Sequence, residues 1–486
     1  MARMWRSYVY SVSMRRPFLL VLASLTVGAL TGSDWPQFRG PNARGVSDTT
    51  NLPVEFGPTK NVIWKTELPA GHSSPVLSAD RIFVTAFDAR KLYVIAMDRA
   101  TGKILWRREV PRPRTQELHK SNSPASPSVV TDGQNTYAFF TDFGLISHGP
   151  DGEERWRLPL GPFNNPFGLG ASPVLAGGKV IQICDSESGS FLTAVDQKTG
   201  KPVWRVERPD VTRGFSTPLV YQPKEGGLQV LIAGTNRFIA YEVETGKEIW
   251  SVRGLTWQMK PTPVLDGDIA YVLGWAGGAD QGSQENIPAL VEILKEHDAN
   301  KDGRLAVSEA PLRYKRDLAE SDFDRDGFYS EREWDKFIEK RSAVNSVMAV
   351  RLGGSGDMTS KSVLWRYYKS LPNATSPLLY RNVLYMVKEG GILTALDAAT
   401  GTVLKQGRIR GALDFFYSSP VGADGKIYAA SESGQVAVIK AGAEWEVLAV
   451  NEMDDTVFAT PAPVDERLYL RTRGALYCFG NPAAKR

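Results

Sequence analysis

Two stretches of this chain carry oxygen donors at a spacing that could hold a metal ion. The first is Asp298-Ala299-Asn300-Lys301-Asp302-Gly303-Arg304-Leu305 through Glu309. The second is Asp322-Phe323-Asp324-Arg325-Asp326-Gly327-Phe328-Tyr329 through Glu333. Each offers side-chain oxygens at positions 1, 3 and 5, glycine at 6 and glutamate at 12. A hard cation such as calcium needs about six to eight oxygens, and this spacing wraps them around one ion. Asp298, Asn300, Asp302 and Glu309 would ligate in the first loop, and Asp322, Asp324, Asp326 and Glu333 in the second. Arg304 and Phe328 would add backbone carbonyls, while Gly303 and Gly327 permit the sharp turn.

This tandem resembles the EF-hand proteins, which implies two calcium ions. Apolar residues at helical spacing flank it, over Ile287–His297 before and Trp334–Ile338 after. Two features depart from the family pattern. The loops start close together, so one helix, about Glu309 to Glu320, must serve both. Tyr329 replaces the usual aliphatic residue at position 8, which marks the second loop as the weaker.

The framework that must carry these loops is a repeat. Ser/Thr-Pro steps stand at Ser74-Pro75, Ser126-Pro127, Ser172-Pro173, Thr217-Pro218, Thr262-Pro263, Ser376-Pro377, Ser419-Pro420 and Thr460-Pro461. Six of the seven gaps run about 41 to 52 residues, the pitch of a four-stranded propeller blade. The gap from Pro263 to Pro377 is one blade plus the segment that holds both loops. Within a repeat, a strand is followed by a tight turn and a tryptophan: Asp98…Thr101-Gly102…Trp106, Asp196…Thr199-Gly200…Trp204 and Glu242…Thr245-Gly246…Trp250. A fourth copy, Asp397…Thr400-Gly401, has Lys405 in the tryptophan's place, and looser copies end in Trp156 and Trp365. The acid can accept turn N–H groups and the glycine supplies a positive φ. The indoles are expected to fill wedges between blades.

The last repeat lacks a strand, and one with the missing tryptophan occurs at the start, Asn61-Val62-Ile63-Trp64-Lys65. The expected fold is therefore all-β. It is an eight-bladed β-propeller of four-stranded antiparallel blades, with the N-terminal strand closing the last blade. A small α-helical insertion interrupts blade five. The boundaries are a leader over 1–33, propeller over 34–278, insertion over 279–343, propeller over 344–480 and a tail over 481–486. As an insertion between strands, the helical segment is expected to project from the ring as a separate module.

The turns above, with Trp35-Pro36-Gln37-Phe38-Arg39-Gly40-Pro41, resemble the pyrroloquinoline-quinone-like propeller family. The chain looks like its secreted bacterial members and is similar in architecture to the eight-bladed lipoprotein of the outer-membrane assembly machinery. That resemblance raises a second reading, a quinone-dependent dehydrogenase of alcohols or sugars with pyrroloquinoline quinone as cofactor. Such enzymes carry a vicinal cysteine pair. Here Cys184 and Cys478 are far apart in sequence.

Loops entering each innermost strand gather at one mouth of a propeller's channel. They offer Arg213, Trp257, Lys260 and Asp414, with His72, Asn122 and Tyr417. Also present are His119, Asn164, Asn165, Phe215, Gln258, Asn373 and Phe458. The binding reading is an anionic or sugar-like ligand met by Arg213 and Lys260 and stacked on Trp257. The plainer reading is loop capping in a hydrated channel. Four histidines without a nucleophile-elbow context argue against a serine hydrolase.

Arg3, Arg6, Arg15 and Arg16 precede an apolar run from Phe18 to Leu30 and the small residues Thr31-Gly32-Ser33. This reads as a secretory signal cleaved near Ser33, with Met14 as an alternative start. Arg15-Arg16 also has a twin-arginine look, although Met14 stands where that signal has serine. The mature chain is thus expected in the periplasm or outside the cell. The 58 basic residues lose four arginines with the leader and then match the 54 acidic ones. This balance gives no footing for nucleic-acid binding. The two cysteines are expected as buried free thiols, and no Cys-x-x-Cys-His occurs to attach haem. The composite expectation is an exported monomeric scaffold for a protein or glycan partner, with calcium ordering the insertion.

Overall fold

The computed structural model describes Met1 and residues 34–318 and 321–482. The rest of the expected leader and residues 483–486 lie outside them. Eight sheets follow one another around a ring. Blade one spans 76–110, two 130–159, three 174–207, four 219–253, five 264–367, six 378–408 and seven 421–452. Blade eight takes its inner three strands from 462–480, and Val62–Glu67 pairs antiparallel with Ala475–Gly480 as its outermost strand. The ring thus closes as the sequence implies. Blade four gains a fifth strand, because Gly356–Asp357 from blade five pairs parallel to Trp250 and Ser251.

A girdle of hydrogen bonds joins the innermost strands. The Ser74 N–H donates to Ser128 Oγ at 2.9 Å, Ser128 N–H to Ser172 Oγ at 3.0 Å, and Ser172 N–H to Thr217 Oγ1 at 3.1 Å. Thr217 N–H continues to Thr262 Oγ1 at 3.3 Å, Thr262 to Ser376 at 3.0 Å and Ser376 to Ser419 at 3.0 Å. Ser419 donates to Thr460 at 3.0 Å, and Thr460 returns to Ser74 Oγ at 2.9 Å. Seven of the eight girdle residues stand directly before a proline, Ser128 being the exception. A proline has no N–H, and at those seven the hydroxyl residue's own amide carries the bond to the next blade. Blade two is a correction to the sequence register. Its girdle residue is Ser128, after Pro127, while Ser126 Oγ accepts from Ser123 N–H at 3.0 Å.

The tryptophans sit between blades as expected. Trp106, Trp156, Trp204 and Trp365 donate from Nε1 to Pro150, Gln197, Val243 and Ala398 carbonyls of the following blade. Trp106, Trp156, Trp204, Trp365 and Trp64 cover Gly152, Gly200, Gly246, Gly401 and Gly102, where a Cβ would strike the indole. Those glycines also have φ between +69° and +78°. The turn is therefore glycine for two reasons, backbone conformation and close approach. Where Lys405 replaces the tryptophan, the facing turn supplies Trp445. The Lys405 ammonium lies 4.9 Å from that ring and donates to the Trp445 carbonyl at 2.8 Å.

Residues 34–57 run along the mouth where the innermost strands end. Trp35 bonds Leu77, Asn42 bonds Val220, and Gly45 accepts from Gly422. Arg39 is fully buried and donates to the Pro377 carbonyl at 2.7 Å. Burial lowers its guanidinium to about 9.

The insertion lies between the second and third strands of blade five, Ile269–Gly274 and Ser346–Arg351. It holds helices α1 (Leu290–His297), α2 (Lys315–Leu318) and α3 (Glu331–Ser342). Ile293, Leu305, Tyr314, Leu318, Tyr329, Trp334 and Phe337 form its own small core. The shared helix expected over about 309–320 is shorter than that: residues 309–314 form turns and a bend and only Lys315–Leu318 is helical, while residues 319 and 320 lie outside the described set. No helix among the described residues is long and apolar enough to cross a membrane.

Removing one girdle hydroxyl leaves a buried N–H unpaired. Ser376→Ala should destabilise the ring by about 1–3 kcal/mol through the Thr262 N–H, measured by urea unfolding. A loss within error of zero would remove the girdle from the account of stability.

Candidate functional site

The two loops of the insertion share one hydrogen-bond pattern. In the first, Glu309 Oε1 accepts from Ala299 N–H at 3.1 Å and Oε2 from Ala306 N–H at 3.0 Å. In the second, Glu333 Oε1 accepts from Phe323 N–H at 2.7 Å and Oε2 from Ser330 N–H at 2.9 Å. Gly303 N–H meets Asp298 Oδ2 at 2.9 Å, and Gly327 N–H meets Asp322 Oδ2 at 3.2 Å. Positions 4 and 6 take positive φ in both: Lys301 and Gly303, Arg325 and Gly327. The position-8 residues pair in a short antiparallel ladder, Leu305 with Tyr329. Tyr329 is buried against Trp334, ring centroids 6.4 Å apart, so the aromatic at position 8 joins the core of the insertion.

The donors gather most tightly in the loop expected to be weaker. One carboxylate oxygen from each of Asp322, Asp324 and Glu333 lies within 4.8 Å of the others. Glu333 is 2% exposed, and Asp322 Oδ1 is buried without a hydrogen-bond partner. Three carboxylates this close favour a cation between them, and an all-oxygen donor set suits calcium. In the first loop, Arg304 extends over to Asp326 Oδ2 at 3.1 Å, so a side chain of one loop holds a ligand position of the other.

The insertion does not project away from the ring. It lies against loops of blades three and four, which corrects the expectation of a separate module. Asn164 Nδ2 donates to the Phe323 carbonyl at 2.6 Å, and Asn236 Nδ2 to Glu339 Oε2 at 2.7 Å. Arg332 reaches the Pro209 carbonyl at 3.1 Å and the Glu187 carbonyl at 3.3 Å. The reason is strand parity. In an antiparallel blade, the loop after the second strand emerges at the same mouth as the loop before the first. An insertion after the second strand of blade five must therefore rise among the funnel residues.

Those residues engage one another rather than one open cavity. Arg213 is ion-paired with Glu187, both buried. Its guanidinium lies 5.0 Å from the Phe167 ring and 5.6 Å from Trp257. Lys340 of α3 stands 4.8 Å from the Trp257 ring, so that indole serves two cations and is not an open stacking platform. Lys260 donates to Asn373 Oδ1 at 2.7 Å, and burial lowers its ammonium to about 7. Asn122 donates to the Phe167 carbonyl at 2.7 Å, and Asp414 Oδ2 accepts from Ser433 N–H at 2.9 Å. His72 stacks on Phe458 at 3.9 Å, and Tyr417 stacks on Phe458 at 5.3 Å. The contacts bring Arg213 to Trp257 and His72 toward Tyr417, and leave Lys260 and Asp414 with other partners. Glu187, Phe167, Arg332 and Lys340 were missed in the sequence. Parity would have flagged Glu187, since it follows the second strand of blade three (Lys179–Cys184). Cys184 and Cys478 are buried free thiols.

A family profile described as outer membrane protein assembly factor BamB matches residues 46–188, 188–286 and 357–481. The interval it omits holds all three helices and both loops of the insertion. A curated relative, outer membrane protein assembly factor BamB of Yersinia pestis, is 24% identical over 407 residues, covering 79% of this chain and 88% of the relative. The crystal structure of BamB from Moraxella catarrhalis superposes with a TM-score of 0.55 at 14% identity, covering 86% of this chain and 99% of that one. A europium-containing methanol dehydrogenase gives 0.56 at 12% identity, covering 93% and 98%. At these identities the two structures speak to the fold alone.

The histidine stack gives a pH test. Burial, aided by Arg471 and Arg473, lowers the His72 imidazole from 6.5 to about 4. A base with a depressed folded pKa supports folding fully above its unfolded value and loses that support as pH falls through the folded one. His72→Phe keeps an aromatic ring on Phe458. It should lose less stability than the parent between pH 6.5 and pH 4 in urea unfolding; equal losses would contradict the assignment.

Proposed function

The chain belongs to the pyrroloquinoline-quinone-like propeller family represented by outer membrane protein assembly factor BamB, and from that footing we propose that it is a binding scaffold rather than an enzyme. Its partner is a protein of the cell envelope, and its insertion holds calcium. The observation that carries the scaffold reading is that the charged and amide groups of the mouth are already bonded to protein, while the Trp257 Nε1 is buried without a hydrogen-bond partner. Arg213, Lys260, Asp414 and Asn122 each have a protein partner, and Trp257 lies beside two cations. A group held this way is costly to redirect toward a substrate, because its former partner is left buried and unpaired. The relatives' description as assembly factors supports a protein partner over a glycan. A leader of the signal-peptide pattern supports the envelope.

Calcium is supported by the pairing of two loops with one hydrogen-bond pattern and by the carboxylates drawn together in the second. Asp298, Asn300, Asp302, Glu309 and the Arg304 carbonyl would hold one ion. Asp322, Asp324, Asp326, Glu333 and the Phe328 carbonyl would hold the other. The ion supplies charge neutralisation that lets the carboxylates converge. In each loop two backbone N–H groups hold the position-12 glutamate, one on each carboxylate oxygen.

Cross-linking in the envelope of producing cells tests the scaffold reading. Adducts with outer-membrane assembly components are expected, and the purified chain should not bind pyrroloquinoline quinone in calcium buffer. Stoichiometric quinone binding with dye-linked alcohol oxidation would overturn the reading. In calorimetry, Asp298→Ala and Asp322→Ala should each remove one of two calcium equivalents. Two equivalents retained in both variants would place the metal elsewhere.

A further inference from the structure

We propose that calcium in the second loop seats the insertion on the ring, as a lid over the Arg213 side of the mouth. This rests on the calcium reading above and adds what the ion controls. One residue joins the two events. The Phe323 N–H donates to Glu333 Oε1 at 2.7 Å, and its carbonyl accepts from Asn164 Nδ2 of the ring at 2.6 Å. Phe323 follows Asp322, the first ligand position, whose Oδ1 is buried without a partner. The second ring anchor is just as close to a ligand. Arg332 precedes Glu333, bonds the Pro209 and Glu187 carbonyls, and lies 5.8 Å from the Phe323 ring. Residues adjacent to the ligands are therefore the residues that grip the ring, Phe323 through its carbonyl and Arg332 through its guanidinium.

Without an ion, the carboxylates of Asp322, Asp324 and Glu333 repel one another at the separation they hold. Opening the loop to relieve that repulsion moves Phe323 and removes one of the two acceptors of Asn164 Nδ2, the other being Ser188 Oγ of the ring. The seated lid covers a defined surface. A pocket of about 280 Å³ lies between Asn164, Phe167, Glu187 and Arg213 on the ring and Asp322, Phe323 and Arg325 on the insertion. Beside it, Lys336 and Lys340 close over Thr212 and Trp257. Release of calcium would uncover an arginine–glutamate pair and an indole, the kind of surface that anchors a protein partner.

Linkage makes this testable from the ring side. If the ion favours docking, docking must favour the ion by the same factor. Asn164 touches no ligand oxygen, yet Asn164→Ala should weaken calcium binding. Arg332→Ala should weaken it too. Removing a positive charge beside the site would by itself raise affinity, so a loss opposes the charge effect; Asn164→Ala isolates docking, because Asn164 lies on the ring whereas Arg332 also meets the Phe323 ring within the insertion. The experiment is calorimetric calcium titration of the full mature chain in an Asp298→Ala background, where the second loop alone reports. Both variants should bind one equivalent with an affinity about five-fold lower or more. Unchanged or tighter binding in both would overturn the coupling and leave the calcium reading standing. If the parent background binds no calcium while the chain with both loops intact binds one equivalent, the ion belongs to the first loop and the coupling fails. No calcium bound by the intact chain would overturn both.

Discussion

The hydrogen bond from one blade's hydroxyl-bearing residue to the next is the constraint on which the rest of this molecule depends. Eight such bonds form a closed circle, so each innermost strand is held at a set height and rotation relative to its neighbours. Each bond contributes only about 1 kcal/mol net. Their effect is geometric, because a displacement at one blade must be absorbed by two others. Outside the girdle, four indoles repeat the linkage between an outer strand and the next blade's turn. The wedges between blades are filled by aliphatic, phenylalanine and tyrosine side chains, with tryptophan on the outer side of most. That division into wedges explains why one long chain needs no single large core.

A ring held this way gives its mouth loops fixed starting points, and the insertion uses them. It could not fold as a free pair of loops with much economy. Its helices are short, and its core is nine buried residues with a few partly buried neighbours. Three converging carboxylates oppose its compact form unless a cation is present. Docking on blades three and four adds hydrogen bonds and cation–aromatic contacts where the insertion is least self-sufficient. Ring and insertion are thus parts of one energetic unit. Several funnel residues contact the insertion or are capped by neighbouring loops.

Much of this was legible in the sequence because repetition exposes it. The pitch of the Ser/Thr-Pro steps, the Asp-x-x-Thr-Gly turns and the displaced Trp64 strand were enough for eight blades and their closure. The register of blade two was not, since Ser126-Pro127 carries the pattern while Ser128 carries the bond. Pattern and bond part there because the chain before blade two takes an extra turn, with Ser126 capping Ser123. The two loops, equal in spacing, share one hydrogen-bond pattern. Tyr329 looked like a fault at position 8 and proves to be a core residue. The site residues were least legible. Sequence lists polar groups at a mouth but not which of them pair, and Glu187 and Lys340 come from elements that had not been assigned to that mouth. The direction of the insertion could have been foreseen from strand parity, which needs only the count of strands before it.

Hydrogen–deuterium exchange of the mature chain, in calcium and then in chelator, tests this account most directly. The account predicts that chelator speeds exchange across 290–342 and in the ring segments around Asn164, Glu187 and Pro209–Arg213. The girdle strands should stay protected. Exchange that is unchanged by chelator, or that rises throughout all eight blades together, would contradict it.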